Sequence, residues 1–304
     1  MNGDNDSRED LDDDSFLQEG DMEEVDDNEF HAVDYTEEEE DIDIDPQEEG
    51  GERIIIEETE PVIDMATVVF SGHNDSVYCI AVHPLDPSLI ITGGGDDKGF
   101  LWRFDTEDHR IVDQIELSGH SDTVTSVGFN FNGLLMLTGS YDGSIQIWRI
   151  MDRKDKLNVS KVLLIGDGPE DIEWATWHPK GNCVVAGSKD STVWMWLVTH
   201  NSSDEYQSQC IQVFAGHEGE VTCGDFTADG KHVVTGSVDG TVRIWNPKNG
   251  VCKGVLSFVS SSDRSEEEEE EEVIVTCVVS NLDGELILAG ELHYHYYYQV
   301  VTGP

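Results

Sequence analysis

Apolar and polar positions alternate in short runs along this chain, the period-two signature of half-buried β-strands. From Val77 onward the runs come in groups of three. Val77–Val82, Leu89–Thr92 and Gly99–Phe104 are separated by turns at Pro84/Asp86-Pro87 and Asp96-Asp97. Val124–Phe129, Leu134–Thr138 and Ser144–Ile150 follow, the last two joined through Tyr141-Asp142-Gly143. The cleanest group is Val221–Phe226, Ala228-Asp229-Gly230, His232–Thr235, Val238-Asp239-Gly240, Thr241–Trp245. Asp-Gly pairs between β-branched runs are hairpin signals, so the pattern predicts an all-β chain.

The groups repeat. An Asp stands six residues before a Trp four times: Asp96/Trp102, Asp142/Trp148, Asp190/Trp196 and Asp239/Trp245. The Trp-to-Trp steps are 46, 48 and 49 residues. A Gly-His pair precedes three of those Trps, at His73, His120 and His217. This period and signature predict a WD40 β-propeller, with four complete repeats and a partial fifth over residues 65–290.

The spacing has a chemical reason. Turn Asp, loop His, a middle-strand hydroxyl and the Trp indole can form one buried hydrogen-bonded chain per blade. The expected sets are His73/Thr92/Asp96/Trp102, His120/Thr138/Asp142/Trp148 and His217/Thr235/Asp239/Trp245. Their recurrence marks these histidines as structural rather than catalytic.

The third unit keeps Asp190 and Trp196 but has Ala186 for the hydroxyl and Gly168 for the His. A blade that gives up its polar network has a loop free for other work. Glu170, Asp171, Glu173 and Trp174 are the candidate partner-binding residues there, an aromatic beside carboxylates suited to an Arg or Lys. Drift within a redundant repeat is the plainer reading of the same loop.

The fifth unit begins with Val275–Val279, Asp283-Gly284 and Leu286–Gly290, then departs. His293 replaces the turn Asp and Gln299 the Trp, so residues 291–304 read as an atypical C-terminal tail. The expected outcome is an incomplete ring and a truncated or mis-spliced chain. Ala66–Phe70 reads as the strand that completes the last blade.

Charge changes the picture next. The formal net charge is −48, and residues 1–64 hold 29 acidic residues against two arginines. That segment cannot bury enough apolar surface to offset chain entropy and reads as a disordered acidic tail. A second acidic run is Glu266–Glu272. Such a chain repels nucleic acid and attracts basic proteins. Asp41-x-Asp43-x-Asp45 with Glu52 mimics a calcium loop but has Pro46 where the turn needs Gly, so no metal is expected there. His293 and His295 alone do not make a metal site either. Cys79, Cys223 and Cys277 occupy equivalent strand positions and read as small buried residues in a reducing compartment. No secretory leader, membrane span or lipidation signal is evident. No nucleophile elbow, Walker loop or His-Glu-x-x-His motif is present, so no enzymatic activity, cofactor or small-molecule substrate is expected.

More particular marks are Thr92-Gly-Gly-Gly-Asp-Asp-Lys98 with Phe100-Leu-Trp102, Asp167-Gly-Pro169 with Ile172-Glu-Trp174, Trp177-His-Pro179, Trp194-Met-Trp196, and Val221-Thr-Cys-Gly-Asp-Phe226. With these the chain resembles the WD-repeat family of the angio-associated migratory cell protein. The resemblance implies a seven-bladed, non-enzymatic scaffold in the cytoplasm, with the nucleus or cell periphery as further locations. It also implies two kinds of role. One is escort of a basic ribosomal protein of the large subunit, as in a fungal relative. The other is a signalling scaffold in cell migration and angiogenesis.

Overall fold

The computed structural model describes residues 66, 68–151, 156–257, 274–281, 286–292 and 298–302. The acidic segment 1–64 with its calcium-loop mimic, the run Glu266–Glu272, and His293 and His295 lie outside the described residues.

The described residues form nineteen strands and no helix, grouped in five antiparallel sheets. The first contains β1 (Val77–Val82), β2 (Leu89–Gly94), β3 (Gly99–Asp105) and β4 (Arg110–Leu117), in that spatial order. The second repeats it with β5 (Val124–Phe129), β6 (Leu135–Ser140), β7 (Ile145–Ile150) and β8 (Val159–Ile165). The third holds β9 (Ile172–Trp177), β10 (Cys183–Ser188), β11 (Thr192–His200) and β12 (Tyr206–Ala215). The fourth holds β13 (Cys223–Phe226), β14 (Val233–Gly236), β15 (Thr241–Trp245) and β16 (Cys252–Ser257). The fifth has three strands, β17 (Ile274–Ser280), β18 (Leu286–Leu292) and β19 (Tyr298–Thr302). First strands pack on first strands from sheet to sheet, β1 on β5, β5 on β9, β9 on β13 and β13 on β17. This is the arrangement of an incomplete β-propeller, with each sheet a meander of consecutive hairpins.

The core lies in the seams between sheets. Leu89, Ile91 and Leu101 of the first sheet pack with Val127 and Phe129 of the second. Leu135, Leu137 and Ile147 meet Ala175 and Trp177 of the third. Val185, Val193 and Met195 meet Phe226 of the fourth, and Val234 and Ile244 meet Val275 and Ile287 of the fifth. Alternation along each first strand puts one residue set into each seam. The equivalent face of β1 has no described sheet against it. Val82 there is 54% exposed, where the matching Trp177 and Phe226 are 5% and 3% exposed, and Ile80 is 64% exposed, where the matching Ala175 is 6% exposed.

Three expectations change. The run after Leu292 is not simply a tail, because Tyr298–Thr302 pairs with β18 and sets Gln299 opposite Ala289. The β-rich composition of that segment suffices for pairing without the Asp and Trp of the other units. Among the described residues of Ala66–Phe70 no strand forms. Phe70 instead stacks on Trp102, ring centroids 4.9 Å apart and planes within 4°. Leu117, Ile165 and Phe214, each three residues before a repeat His or its replacement, join the clusters around Trp148, Trp196 and Trp245 in the same way. Finally, Cys277 is exposed, whereas Cys79 and Cys223 are half-buried against the next sheet. Burial pushes both of those thiols up to about 12, which leaves them inert.

Candidate partner-binding face

At one end of the sheets, each Gly-His loop lies against the Asp turn of its own blade. In the second sheet His120 Nδ1 donates to Asp142 Oδ2 at 3.0 Å, and its Nε2 accepts from the Thr138 hydroxyl at 2.8 Å. Trp148 Nε1 donates to the same Thr138 oxygen at 3.3 Å. The fourth sheet closes the same chain more tightly, with His217 to Asp239 at 2.9 Å, to Thr235 at 2.7 Å, and Trp245 to Thr235 at 2.8 Å. A carboxylate only accepts, so each His carries its proton on Nδ1. Burial pushes the Asp239 carboxyl up. The His217 ring, the Thr241 hydroxyl and the Glu218 N–H outweigh that and hold it well below the usual range. For His120 burial is the larger effect, and the ring is held below the ordinary histidine value despite Asp142.

The first sheet is incomplete. His73 bonds Asp96 at 2.8 Å and Thr92 at 3.0 Å, but the buried Trp102 Nε1 has no hydrogen-bond partner. The third sheet replaces the network. Asp190 accepts from Thr192, whose Oγ1 accepts from Trp194 Nε1 at 2.8 Å. Trp194 stacks on Trp196 at 6.0 Å, and Gly168 leaves room for that indole. Trp196 Nε1 has no partner, because Ala186 supplies no hydroxyl.

Of the four candidate residues, the structure keeps three at the surface. Trp174 is a correction. It is 8% exposed, inside the seam between the third and fourth sheets, and its Nε1 donates to Val221 O at 3.0 Å. Gly187 and Gly224 form its slot, since a Cβ on either would collide with the indole. Glu170 is exposed and Asp171 half-exposed on the loop. Glu173 sits where the pairing of β9 with β10 shifts register between Gly187 and Ser188. A bulge leaves one residue unpaired and re-aims it, here Glu173, toward the Gly-His end. The same irregularity frees Tyr78 in β1 and Thr125 in β5.

Glu173 Oε2 accepts from the Tyr141 hydroxyl at 3.0 Å, across the seam between the second and third sheets. Burial, with the nearby charge of Glu220 added, raises the Glu173 carboxyl in spite of that bond. Burial and then the Glu173 charge push the Tyr141 phenol up to about 12. Glu220 itself stands 3.8 Å from Lys189. The inner rim of this end thus gathers Glu173, Glu220 and Asp171 around Tyr141 and the exposed Tyr78, with Lys189 as the cation beside them. Such a rim accepts hydrogen bonds from ammonium or guanidinium groups and offers aromatic faces to them. Sequence reasoning missed Tyr141, Tyr78 and Glu220. The available signal was position, since Tyr141 directly precedes turn Asp142 and Tyr78 shares the bulge position with Glu173.

Comparison with known proteins agrees with the repeated four-stranded sheets. The family model described as WD domain, G-beta repeat matches residues 66–103, 112–149, 162–196 and 208–246. The chain is a WD-repeat protein. This WD-repeat chain is 34% identical to the human Angio-associated migratory cell protein over 229 residues, 75% of its own length and 46% of the relative's. It is 25% identical to the Ribosome assembly protein SQT1 of Saccharomyces cerevisiae over 224 residues, 67% of this chain and 48% of that one. The WD-repeat chain therefore spans about half the length of the curated relatives it matches. It also superposes on the crystal structure of Chaetomium thermophilum Sqt1 bound to the N-terminus of the ribosomal protein L10. The TM-score is 0.62 at 22% identity, covering 77% of this chain and 62% of that one.

Proposed function

We propose that this protein is a non-enzymatic interaction platform whose Gly-His end receives a basic segment of a protein partner. The observation that carries the reading is the acidic inner rim, where Tyr141, Glu173 and Glu220 converge across two seams. Carboxylates held together without enough cations are destabilising until a cation arrives, so their free energy is recovered on binding. The partner class we favour is a basic ribosomal protein of the large subunit, escorted in the cytoplasm during assembly. Support comes from the net charge of −48 and from a fold shared with a Sqt1 that binds the N-terminus of ribosomal protein L10.

The test is titration of the full chain with a synthetic peptide of the L10 N-terminus, followed by fluorescence anisotropy. Affinity is expected to fall steeply as salt rises through the range where the Debye length shrinks below about 10 Å. Binding indifferent to salt, or unchanged in a Glu173→Lys/Glu220→Lys variant, overturns the proposal. A second reading is a signalling scaffold in cell migration, favoured by the higher identity to the Angio-associated migratory cell protein. On that reading a tagged chain enriches at the cell periphery rather than with nascent ribosomes.

A further inference from the structure

Each seam between neighbouring sheets seats an aliphatic knob from the start of the following sheet. The knobs are Val124, Ile172, Val221 and Val275, which are 0%, 1%, 0% and 0% exposed. The slot belongs to the preceding sheet. In the first sheet it is Gly93 paired with Cys79, and a Cβ on Gly93 would strike both Val124 and the Cys79 sulfur. In the fourth it is Gly236 paired with Cys223, and a Cβ there would strike Val275 and the Cys223 sulfur. The sulfurs meet the backbone of the incoming strand, Cys79 Sγ at 3.6 Å from Val124 O and Cys223 Sγ at 3.7 Å from Val275 O. A threonine joins in where the sheet has one. Thr125 donates to Ile172 O at 2.7 Å, and Thr222 donates to Val275 O.

Two halves of such a seam are left over. Val77 is the knob of the first sheet, and it is 52% exposed. The slot of the fifth sheet is Gly290 paired with Cys277, glycine and thiol as in the first and fourth. Cys277 is exposed there. Thr276 lies 3.4 Å from Gly290 O, as Thr222 lies 3.3 Å from Gly236 O. Val279 and Leu288 extend the same face at 53% and 36% exposed, where Ile91, Leu137 and Val185, which match Leu288, are each 0% exposed.

We infer that these halves fit each other between copies of the chain, Val77 of one molecule entering the Gly290/Cys277 slot of a second and continuing the stack of sheets head to tail. The occupant is a second copy because the contact so made repeats, residue type for residue type, two contacts already inside the fold: Val124 on Gly93/Cys79 and Val275 on Gly236/Cys223. Cys277 and Thr276 gain the backbone carbonyl that Cys223 and Thr222 already have. A head-to-tail contact uses different surfaces on the two molecules, so each pair still carries a free knob and a free slot. The halves are apolar, whereas the chain carries a net charge of −48. Like-charge repulsion opposes the association and salt relieves it. That is the reverse of the salt dependence expected for a basic partner at the acidic rim.

The experiment is sedimentation velocity on the full chain from about 1 to about 100 μM, in about 0.1 M and about 1 M salt, over which the Debye length falls from about 10 to about 3 Å. The weight-average mass is expected to rise from 33.8 kDa to at least double, and to do so at lower concentration in the higher salt. Val77→Lys/Val82→Lys spoils the knob face and spares the slot, and Val279→Lys/Leu288→Lys does the reverse. Each variant alone is expected to stay at 33.8 kDa. An equal mixture is expected to form a dimer of one of each and nothing larger, since it holds one intact knob and one intact slot per pair. A wild type that stays at 33.8 kDa throughout overturns the inference, whether the halves stay open or meet within one chain. So does self-association of either variant, or a mixture that stays monomeric. Should a variant not fold, alkylation of the wild type in the higher salt decides. Cys277 must react several-fold more slowly at the highest concentration than at the lowest, against the exposed Cys210 of β12 as reference. An equal change at both thiols, or none, overturns the head-to-tail contact.

Discussion

Tyr141 and Glu173 belong to different sheets and meet at 3.0 Å over the seam that joins them, phenol donating to carboxylate. The bond fixes the direction of the acid without neutralising it. A neutral donor leaves the full negative charge in place, half-buried and beside Glu220. The first prediction follows. Glu173→Gln keeps an acceptor for Tyr141 and removes the repulsion. Its unfolding midpoint is expected to match or slightly exceed that of the parent, by a few tenths of a kcal/mol after solvent screening. Affinity for a basic peptide is expected to fall about tenfold in the same variant. A loss of stability with no loss of binding, seen by urea unfolding and anisotropy, overturns the assignment of Glu173 to the binding rim.

The polar networks predict unequal costs for one substitution type. Asp239→Ala strands His217, the Glu218 N–H and the Thr241 hydroxyl, and is expected to cost about 3 kcal/mol or more. Asp190→Ala loses bonds to Thr192 and is expected to cost about 1 kcal/mol or less, because no His depends on it. Urea unfolding of both variants checks the ordering, and equal costs contradict it.

Trp174 is expected to behave as a core residue. Trp174→Ala removes a buried ring from the third seam and should cost about 3–5 kcal/mol. Gly224→Ala should also destabilise, by driving a methyl into the same indole. A stable Trp174→Ala variant that instead loses partner binding returns the residue to the recognition surface.

Stability should fall on acidification in two stages. The His120 ring is held below its ordinary value of 6.5, so the unfolded chain takes up protons first as pH drops. Its contribution is complete above about pH 6.5 and declines below it. Asp239 is depressed as well. Its contribution is present above the unfolded carboxyl value of 3.8 and is lost as pH falls through the lower folded value. Thermal melts from about pH 8 to about pH 3 should show both declines, and a midpoint that rises on acidification contradicts the assignment.

The repeating architecture was legible because its signals are local. Period-two runs and Asp-Gly turns report single strands and hairpins, and Val77–Val82, Val124–Phe129 and Thr241–Trp245 match their observed strands at both ends. The fourth strand of each sheet was not read, since β4, β8, β12 and β16 alternate weakly at an exposed edge. The proposed rim was read in part. Glu173 was singled out from a break in the repeat, but Tyr141 and Glu220 reach it from other sheets, and no spacing in the chain encodes that meeting. Trp174 was misplaced because a Trp beside acids looks like a recognition patch. Only the Gly187 and Gly224 slot, assembled from two sheets, reveals that it points inward.

Phe70 on Trp102 has a consequence for cutting and joining this chain. In each of the first four sheets the repeat tryptophan is accompanied by an apolar residue that the chain contributes just before that sheet begins: Phe70 and Phe214 lie ring to ring with Trp102 and Trp245, and Leu117 and Ile165 share the clusters of Trp148 and Trp196. The module one can see in space is therefore out of phase with the module one can excise from the sequence. A fragment that starts at the first strand of a sheet leaves that residue behind, whereas one that starts a few residues before the Gly-His loop keeps it with its indole. Splice points for swapping or duplicating repeats belong ahead of that residue.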